Sequence, residues 1–219
     1  MKILQQNINQ YNPNVPGLTR TLLAQEADVI FLSEYMDCLH HELWTSLEEN
    51  GYTIHRPKPQ ERSNWRNWLI CIAAVKGGCT FTPRERSGPL LAYRYLEGSF
   101  TNGGRQMELF FLHAPLGNRP DYKRGMLSAA GSFLYENRGK QAWAGGDFNT
   151  ELRGGATLLE PLMRQVYHSG VDTTSHQPTW RDKCLDYALV SSPLVGSRTS
   201  LISTSSDHAA LVTEIVGLS

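Results

Sequence analysis

The 219-residue chain carries 21 basic and 21 acidic side chains, a formal net charge of zero, with 40% apolar and 19% charged residues. That composition excludes a chain disordered over most of its length, and neutrality excludes a protein that coats nucleic acid through bulk positive charge, because such binding scales with the phosphates neutralised. The length suits one large domain with a sizeable core rather than two small ones.

The element pattern reads in chain order. A strand is expected at 2–8, then a helix with Leu18, Leu22 and Leu23 on one face, a strand at 28–33, and a helix carrying Leu39, Leu43 and Leu47. Strands follow at 68–75, 90–96 and 107–113 with no helix among them. Met126, Leu127, Ala130 and Leu134 mark another helix, 141–145 a strand, Leu158, Leu159 and Leu162 a further helix, and 185–191 and 209–215 the last strands. The helix-free middle needs a mixed or antiparallel sheet, and there is enough apolar surface for two sheets packed face to face with helices outside. Cys38, Cys71, Cys79 and Cys184 form no C-x-x-C pair and fall mostly in apolar runs, so buried thiols and a reducing compartment are expected. No apolar run resembles a signal-peptide core or approaches the roughly 20 residues of a membrane span, so the expectation is a cytoplasmic protein without a span.

The polar residues fall at the mouths of apolar strands. Asn7 ends the first, Glu34 the second and His113 another; Asp147 and Asn149 follow the run at 142–145, Asp186 opens a strand, and Asp207 and His208 precede the last. Strand ends display reactive groups on a rigid frame, and a set of oxygen ligands with two histidines suits a hard divalent cation and a phosphate. Taken singly, each has an ordinary explanation: a solvated strand end for Glu34, an Asx turn for Gly146-Asp147-Phe148-Asn149, an N-capping Asp207, a satisfied His113. Asp186 alone demands a partner, since an unpaired buried carboxylate is costly.

Gln6-Asn7, Ser33-Glu34, His113, Gly146-Asp147-Phe148-Asn149, Thr179-Trp180, Leu185-Asp186-Tyr187 and Ser206-Asp207-His208, in this order, resemble the motifs of the endonuclease/exonuclease/phosphatase superfamily, the deoxyribonuclease I-like and exonuclease III-like phosphodiesterases. The resemblance runs from Ile3 to Val212. It implies a single catalytic domain folded as a four-layer α/β sandwich, two packed mixed β-sheets flanked by helices, with the site at one edge of the sheets. It implies metal ligation of Mg²⁺ or Mn²⁺ by Glu34 and Asn7, with Asp207 a further metal or supporting acid. Asp147 then orients or deprotonates the attacking water, Asn149 donates to a phosphate oxygen, His208 pairs with Asp186 as an imidazolium, and His113 serves the phosphate on the leaving-group side. Where His113 stands, abasic-site endonucleases usually have tyrosine. Residues 3–9 are similar to the opening of retrotransposon endonucleases, and His113-Ala114 with the Gly-Gly-Asp-Phe-Asn run is similar to the nuclease subunit of cytolethal distending toxins.

Substrate contacts are sought in the remaining polar and aromatic residues. Arg62, Asn64, Trp65, Arg66, Asn67 and Trp68 form a basic-aromatic cluster able to stack bases and contact phosphates, or else a loop leading into a buried strand. Trp180 stands where the family often has an aromatic beside the scissile phosphate, and Arg181, Lys183, Lys123 and Arg124 are candidate positive charge around it. The expectation is a monomeric, metal-dependent phosphodiesterase acting on DNA or RNA, with no protein partner inferred. The alternatives are a phosphodiesterase or phosphatase for small molecules or lipid headgroups, and a binding module that kept the fold without the chemistry.

Overall fold

The computed structural model describes residues 1–57, 69–87, 90–116, 120–151, 166, 168–174 and 177–216. The expected helix around Leu158 to Leu162 and the cluster around Arg62 to Trp68, Arg66 included, lie outside the described residues. In chain order the elements are β1 (Lys2–Asn7), α1 (Val15–Leu23), β2 (Val29–Tyr35), α2 (Asp37–Glu49), β3 (Tyr52–His55), β4 (Ile70–Lys76), β5 (Cys79–Arg84), β6 (Tyr95–Asn102), β7 (Arg105–His113), α3 (Pro120–Glu136), β8 (Ala142–Asp147), β9 (Val171–Asp172), β10 (Asp186–Val190), β11 (Arg198–Ile202) and β12 (Ala210–Glu214).

Two mixed six-stranded sheets form, in the orders β11-β12-β1-β2-β4-β3 and β5-β6-β7-β8-β10-β9. The central strands are buried on both faces, which is why they read as unbroken apolar runs rather than alternating ones. Along β1, Ile3 points into the layer between the sheets while Leu4 points outward to α1 and α2. Phe31 anchors the inter-sheet layer. It stacks on Phe111 with centroids 4.9 Å apart and on Trp143 with centroids 5.5 Å apart. The outer face of the second sheet packs Phe110, Leu112 and Ala144 against Met126, Ala130, Phe133 and Leu134 of α3. The result is the expected four-layer order of helix, sheet, sheet, helix. None of the described helices is long and apolar enough to cross a membrane.

Three local expectations are corrected. Residues 90–96 do not form a strand: Ala92–Arg94 is a 3₁₀ turn, and β6 begins only at Tyr95. The continuation of β6 was hidden by Glu97-Gly98-Ser99, which looks like loop. Glu97 is nonetheless buried because Arg84 and Arg86 both bond its carboxylate at 2.7 Å, and Gly98 leaves room for Thr82 and Phe81 of β5. In α2, Leu39 is 48% exposed and the buried face is His40, Leu43 and Leu47. The cause is a break at His40 (φ −119°, ψ 22°), where the ring Nδ1 accepts the Met36 N–H at 3.0 Å and rotates the first turn relative to the rest. Of the cysteines, Cys71 is buried, Cys38 is exposed at the start of α2, and Cys79 and Cys184 are partly exposed; all four are free thiols.

Candidate active site

β1 runs parallel to β2, and β7 parallel to β8, so the carboxyl ends of four strands meet at one edge of the sandwich. β10 runs antiparallel to β8 and opens at this same edge. Its register places Asp186 opposite Asp147, which is itself opposite His113. The loop into β12 adds His208. Six of the residues selected from the sequence, Asn7, Glu34, His113, Asp147, Asp186 and His208, therefore gather from both sheets.

Local backbone geometry aims them. β2 pairs with β4 through a register shift between Leu32 and Tyr35, and within that bulge Glu34 has φ +59°. A bulge re-aims a side chain that a regular strand would direct elsewhere. Asn149 (φ +49°) and Arg181 (φ +51°) share this sparsely occupied conformation, and two of the five described non-glycine residues with positive φ, Glu34 and Asn149, line the cleft. Such strain persists only where surrounding contacts enforce it. At Asn149 the enforcing contacts are its N–H to Asp147 Oδ1 (2.8 Å), its Nδ2 to the Ala114 carbonyl (2.8 Å), and Lys123 Nζ donating to its carbonyl (2.5 Å).

Asn7 lies between two acids. Its Nδ2 is 3.1 Å from Glu34 Oε1 and 3.0 Å from Asp147 Oδ2, and the Gln10 N–H reaches Glu34 Oε2 at 3.2 Å. His113 Nε2 stands 3.6 Å from Glu34 Oε1 and 3.7 Å from Asp147 Oδ2. Burial first, then the charges of Arg94 and His208, hold its pKa well below the ordinary histidine value, so the ring is neutral. Burial and the charge of Asp186 push the Asp147 carboxyl well up from the usual range.

The Asp186–His208 pair behaves differently. His208 Nδ1 lies 2.7 Å from Asp186 Oδ2, and the Thr179 hydroxyl accepts the N–H groups of Leu185 and Asp186, each at 3.1 Å. Burial works against protonation of His208, but the hydrogen bond and charge of Asp186, with Asp147 and Asp207 behind, raise its pKa to about 9. Ser206 Oγ donates to the Asn7 carbonyl at 2.7 Å and ties this loop to β1.

Two donor sets fit a cation. Asp147, Asp186 and His208 present ligand atoms within 4.8 Å of one another. The His208 Nδ1, however, is already bonded to Asp186 Oδ2 at 2.7 Å. The side of Glu34 is the better one: Glu34 and Asp147 are hard oxygen donors that converge beside His113 with no cationic side chain between them, while Asn7 turns its Nδ2 to both acids and its Oδ1 to the Asn9 N–H at 3.0 Å, so only a turned-over amide would add a ligand oxygen.

Asp207 is not joined to that set by any hydrogen bond or ion pair among the described residues. It is exposed at the rim, accepting from Trp180 Nε1 at 3.1 Å. Trp180 packs beside His208, with centroids 6.2 Å apart, and the Arg181 guanidinium lies over its outer side, 4.4 Å from the ring centroid. Glu34, His113, Asp147, Asn149, Trp180, Lys183, Asp207 and His208 line one cleft of about 1020 Å³. Arg94 also lines it and was not selected from the sequence, although an arginine inside the apolar run 90–96 was the available signal.

Known proteins share this architecture. No curated protein sequence matches the chain. Among solved structures, D. rerio TDP2 complexed with single-strand DNA product is 14% identical with a TM-score of 0.70, covering 97% of both chains. The human nocturnin catalytic domain with bound sulfate is 16% identical with a TM-score of 0.67, covering 99% of this chain and 94% of that one. The endonuclease domain of TRAS1, a telomere-specific non-LTR retrotransposon, is 12% identical with a TM-score of 0.71, covering 98% and 97%. At these identities the likeness speaks to the fold. The sequence itself matches the endonuclease/exonuclease/phosphatase family over residues 4–208, nearly the whole chain, and the protein therefore belongs to that family.

Proposed function

We propose that the protein is a Mg²⁺- or Mn²⁺-dependent phosphodiesterase that hydrolyses P–O bonds of DNA or RNA with an activated water. The observation that carries this reading is the division of charge in the cleft. Two converging carboxylates, Glu34 and Asp147, lie on one side, and an imidazolium fixed by Asp186 lies on the other. A divalent ion held by Glu34, with the Asn7 amide turned to offer its oxygen, would supply Lewis-acid stabilisation of the phosphoryl oxygens. The remaining roles belong to side chains. Asp147, its pKa raised toward neutrality, is suited to accept the proton of the attacking water. Protonated His208 stabilises the charge added to the phosphoryl oxygens in the transition state. Neutral His113 offers a ring N–H to the leaving-group side. Asn149 Nδ2 exchanges its weaker contact, 3.4 Å to Asp147, for a phosphate oxygen. Trp180 with Arg181 stacked on it offers a flat cationic surface of the kind that holds bases and phosphates. The single-strand DNA product in D. rerio TDP2 and the endonuclease domain of TRAS1 support a nucleic-acid substrate. Formal neutrality favours, as a second reading, a small phosphodiester.

The test is cleavage of plasmid DNA, single-stranded DNA, single-stranded RNA and bis(p-nitrophenyl) phosphate with Mg²⁺, Mn²⁺ or EDTA. Asp147→Asn and His208→Ala are each expected to lower turnover by at least about a hundredfold. Metal-dependent cutting of a nucleic acid by the wild type alone supports the nuclease reading. Turnover of the aryl ester alone moves the substrate to the small class, and activity within a few-fold of wild type removes that residue from the mechanism.

A further inference from the structure

Arg94 is a cation with no ion pair among the described residues. It closes the turn Ala92–Arg94, is partly buried, and lines the catalytic cleft. Its hydrogen-bonding contacts are to the ring of His113, with Nη1 3.1 Å from Nδ1 and 3.4 Å from Nε2. Both contacts are made by the one nitrogen Nη1, so the ring occupies only one arm of the guanidinium. An imidazole carries no negative charge whether or not it is protonated, so the ring offers no counter-charge in return. No carboxylate of the described residues comes within the 4.0 Å of an ion pair with Arg94. Glu97, three residues along, is already held by Arg84 and Arg86.

A guanidinium has five donors in a rigid fork that matches carboxylate or phosphate. Withdrawing one partly from water beside an imidazole is unfavourable unless an anion completes it. The turn that carries it is fixed by the β6–β7 hairpin, whose register runs from Tyr95 opposite Leu112 to Asn102 opposite Arg105, so the fork is held in place beside His113. We propose that Arg94 is a substrate-binding residue whose guanidinium grips a phosphate of the bound substrate. The inference rests on the phosphodiesterase reading and adds a phosphate contact from the β6 side of the cleft. The phosphate is either the scissile one or its neighbour along a polynucleotide.

The test measures binding and turnover separately. Binding of a fluorescein-labelled oligo-dT in EDTA is followed by anisotropy across a KCl series for wild type, Arg94→Lys and Arg94→Gln. Loss of one phosphate contact reduces the slope of log K against log[salt] by about 0.7 for a single strand. Arg94→Gln is expected to bind about tenfold more weakly with that reduced slope, while Arg94→Lys keeps the slope. A structural role would not move the slope, and an unchanged slope in Arg94→Gln overturns the proposal. Turnover with Mn²⁺ then locates the phosphate. A fall in kcat/KM of Arg94→Gln on both oligonucleotide and bis(p-nitrophenyl) phosphate assigns the scissile phosphate, a fall on the oligonucleotide alone assigns the neighbour, and no fall on either again overturns the proposal. A wild type that neither binds nor cleaves any of these removes the phosphodiesterase reading and this inference with it. Working wild type with indifferent Arg94 variants removes the inference alone.

Discussion

His208 holds its proton because Asp186 holds His208. Burial alone would discharge the imidazole, and the carboxylate 2.7 Å away reverses that, raising the pKa from 6.5 to about 9. A histidine whose folded pKa exceeds its unfolded one contributes stability that is complete below the unfolded value and is lost as pH rises through the folded value. The pair is therefore expected to stabilise the protein fully at pH 6, with the contribution falling away between about pH 6.5 and 9. His208→Gln, which keeps a hydrogen-bond donor but not a charge, removes that decline. Melting temperatures of metal-free protein at intervals from pH 6 to 10 test this. A wild-type profile parallel to that of His208→Gln would mean that the pair carries no net charge interaction. The same chemistry was legible in the sequence only by half. Asp186 inside an apolar strand announced that it needed a partner, nothing local named His208, 22 residues away, and only the family resemblance supplied it.

At the scale of elements, the site depends on how closely β7 and β8 approach. Gly146 has φ +133°, and a Cβ there would run into the carbonyl oxygen of Leu112 across the strand pair. The residue before Asp147 must therefore be glycine for the register that sets His113 opposite Asp147. Gly146→Ala combines a backbone penalty with a backbone clash that no rotamer change relieves. It is expected to cost about 3 kcal/mol or more, a fall in Tm on the order of 6–12 °C. Gly139→Ala, where the added methyl meets nothing within 4 Å, is the control and should stay within about 0.5 kcal/mol. Equal melting of the two variants would mean that β7 and β8 tolerate separation. Elements with unbroken apolar cores, β1, β2, β4, β7, β8, β10 and β12, could be read from sequence because burial on both faces leaves a compositional mark. The edge strands β3, β5, β9 and β11 left none. In β5, Pro83 and a run of exposed residues around the single buried Phe81 suit a strand at the rim of a sheet but look like loop when read alone. Arg94 was missed for a related reason. The run 90–96 looks like strand until the turn at Ala92–Arg94 is seen to deliver its last residue to the cleft.

The whole molecule is built so that neither sheet holds a complete site. Asn7 and Glu34 belong to the first sheet, with His208 on the loop into its β12, while His113, Asp147 and Asp186 belong to the second. The carboxylate pair Glu34 and Asp147 spans the two sheets, and so does the Asp186–His208 bond. What keeps them in register is the apolar layer between the sheets, at whose centre Phe31 of the first sheet lies against Phe111 and Trp143 of the second. Phe31 is fully buried. Phe31→Ala removes both stacking contacts and leaves a cavity, with an expected loss of about 3–5 kcal/mol, a large share of the 5–15 kcal/mol that holds a typical domain folded. Because the ring lies in the layer between the sheets rather than in the candidate site, turnover at 25 °C should stay within about threefold of wild type. Thermal inactivation should instead shift downward together with the loss of near-ultraviolet circular dichroism, by roughly 6–20 °C. Measured side by side, coincident midpoints in both proteins would mean that the site opens only when the sheets part. Inactivation many degrees below the dichroism midpoint would mean that the strand ends separate on their own, and that the inter-sheet layer does not govern the geometry of the carboxylates.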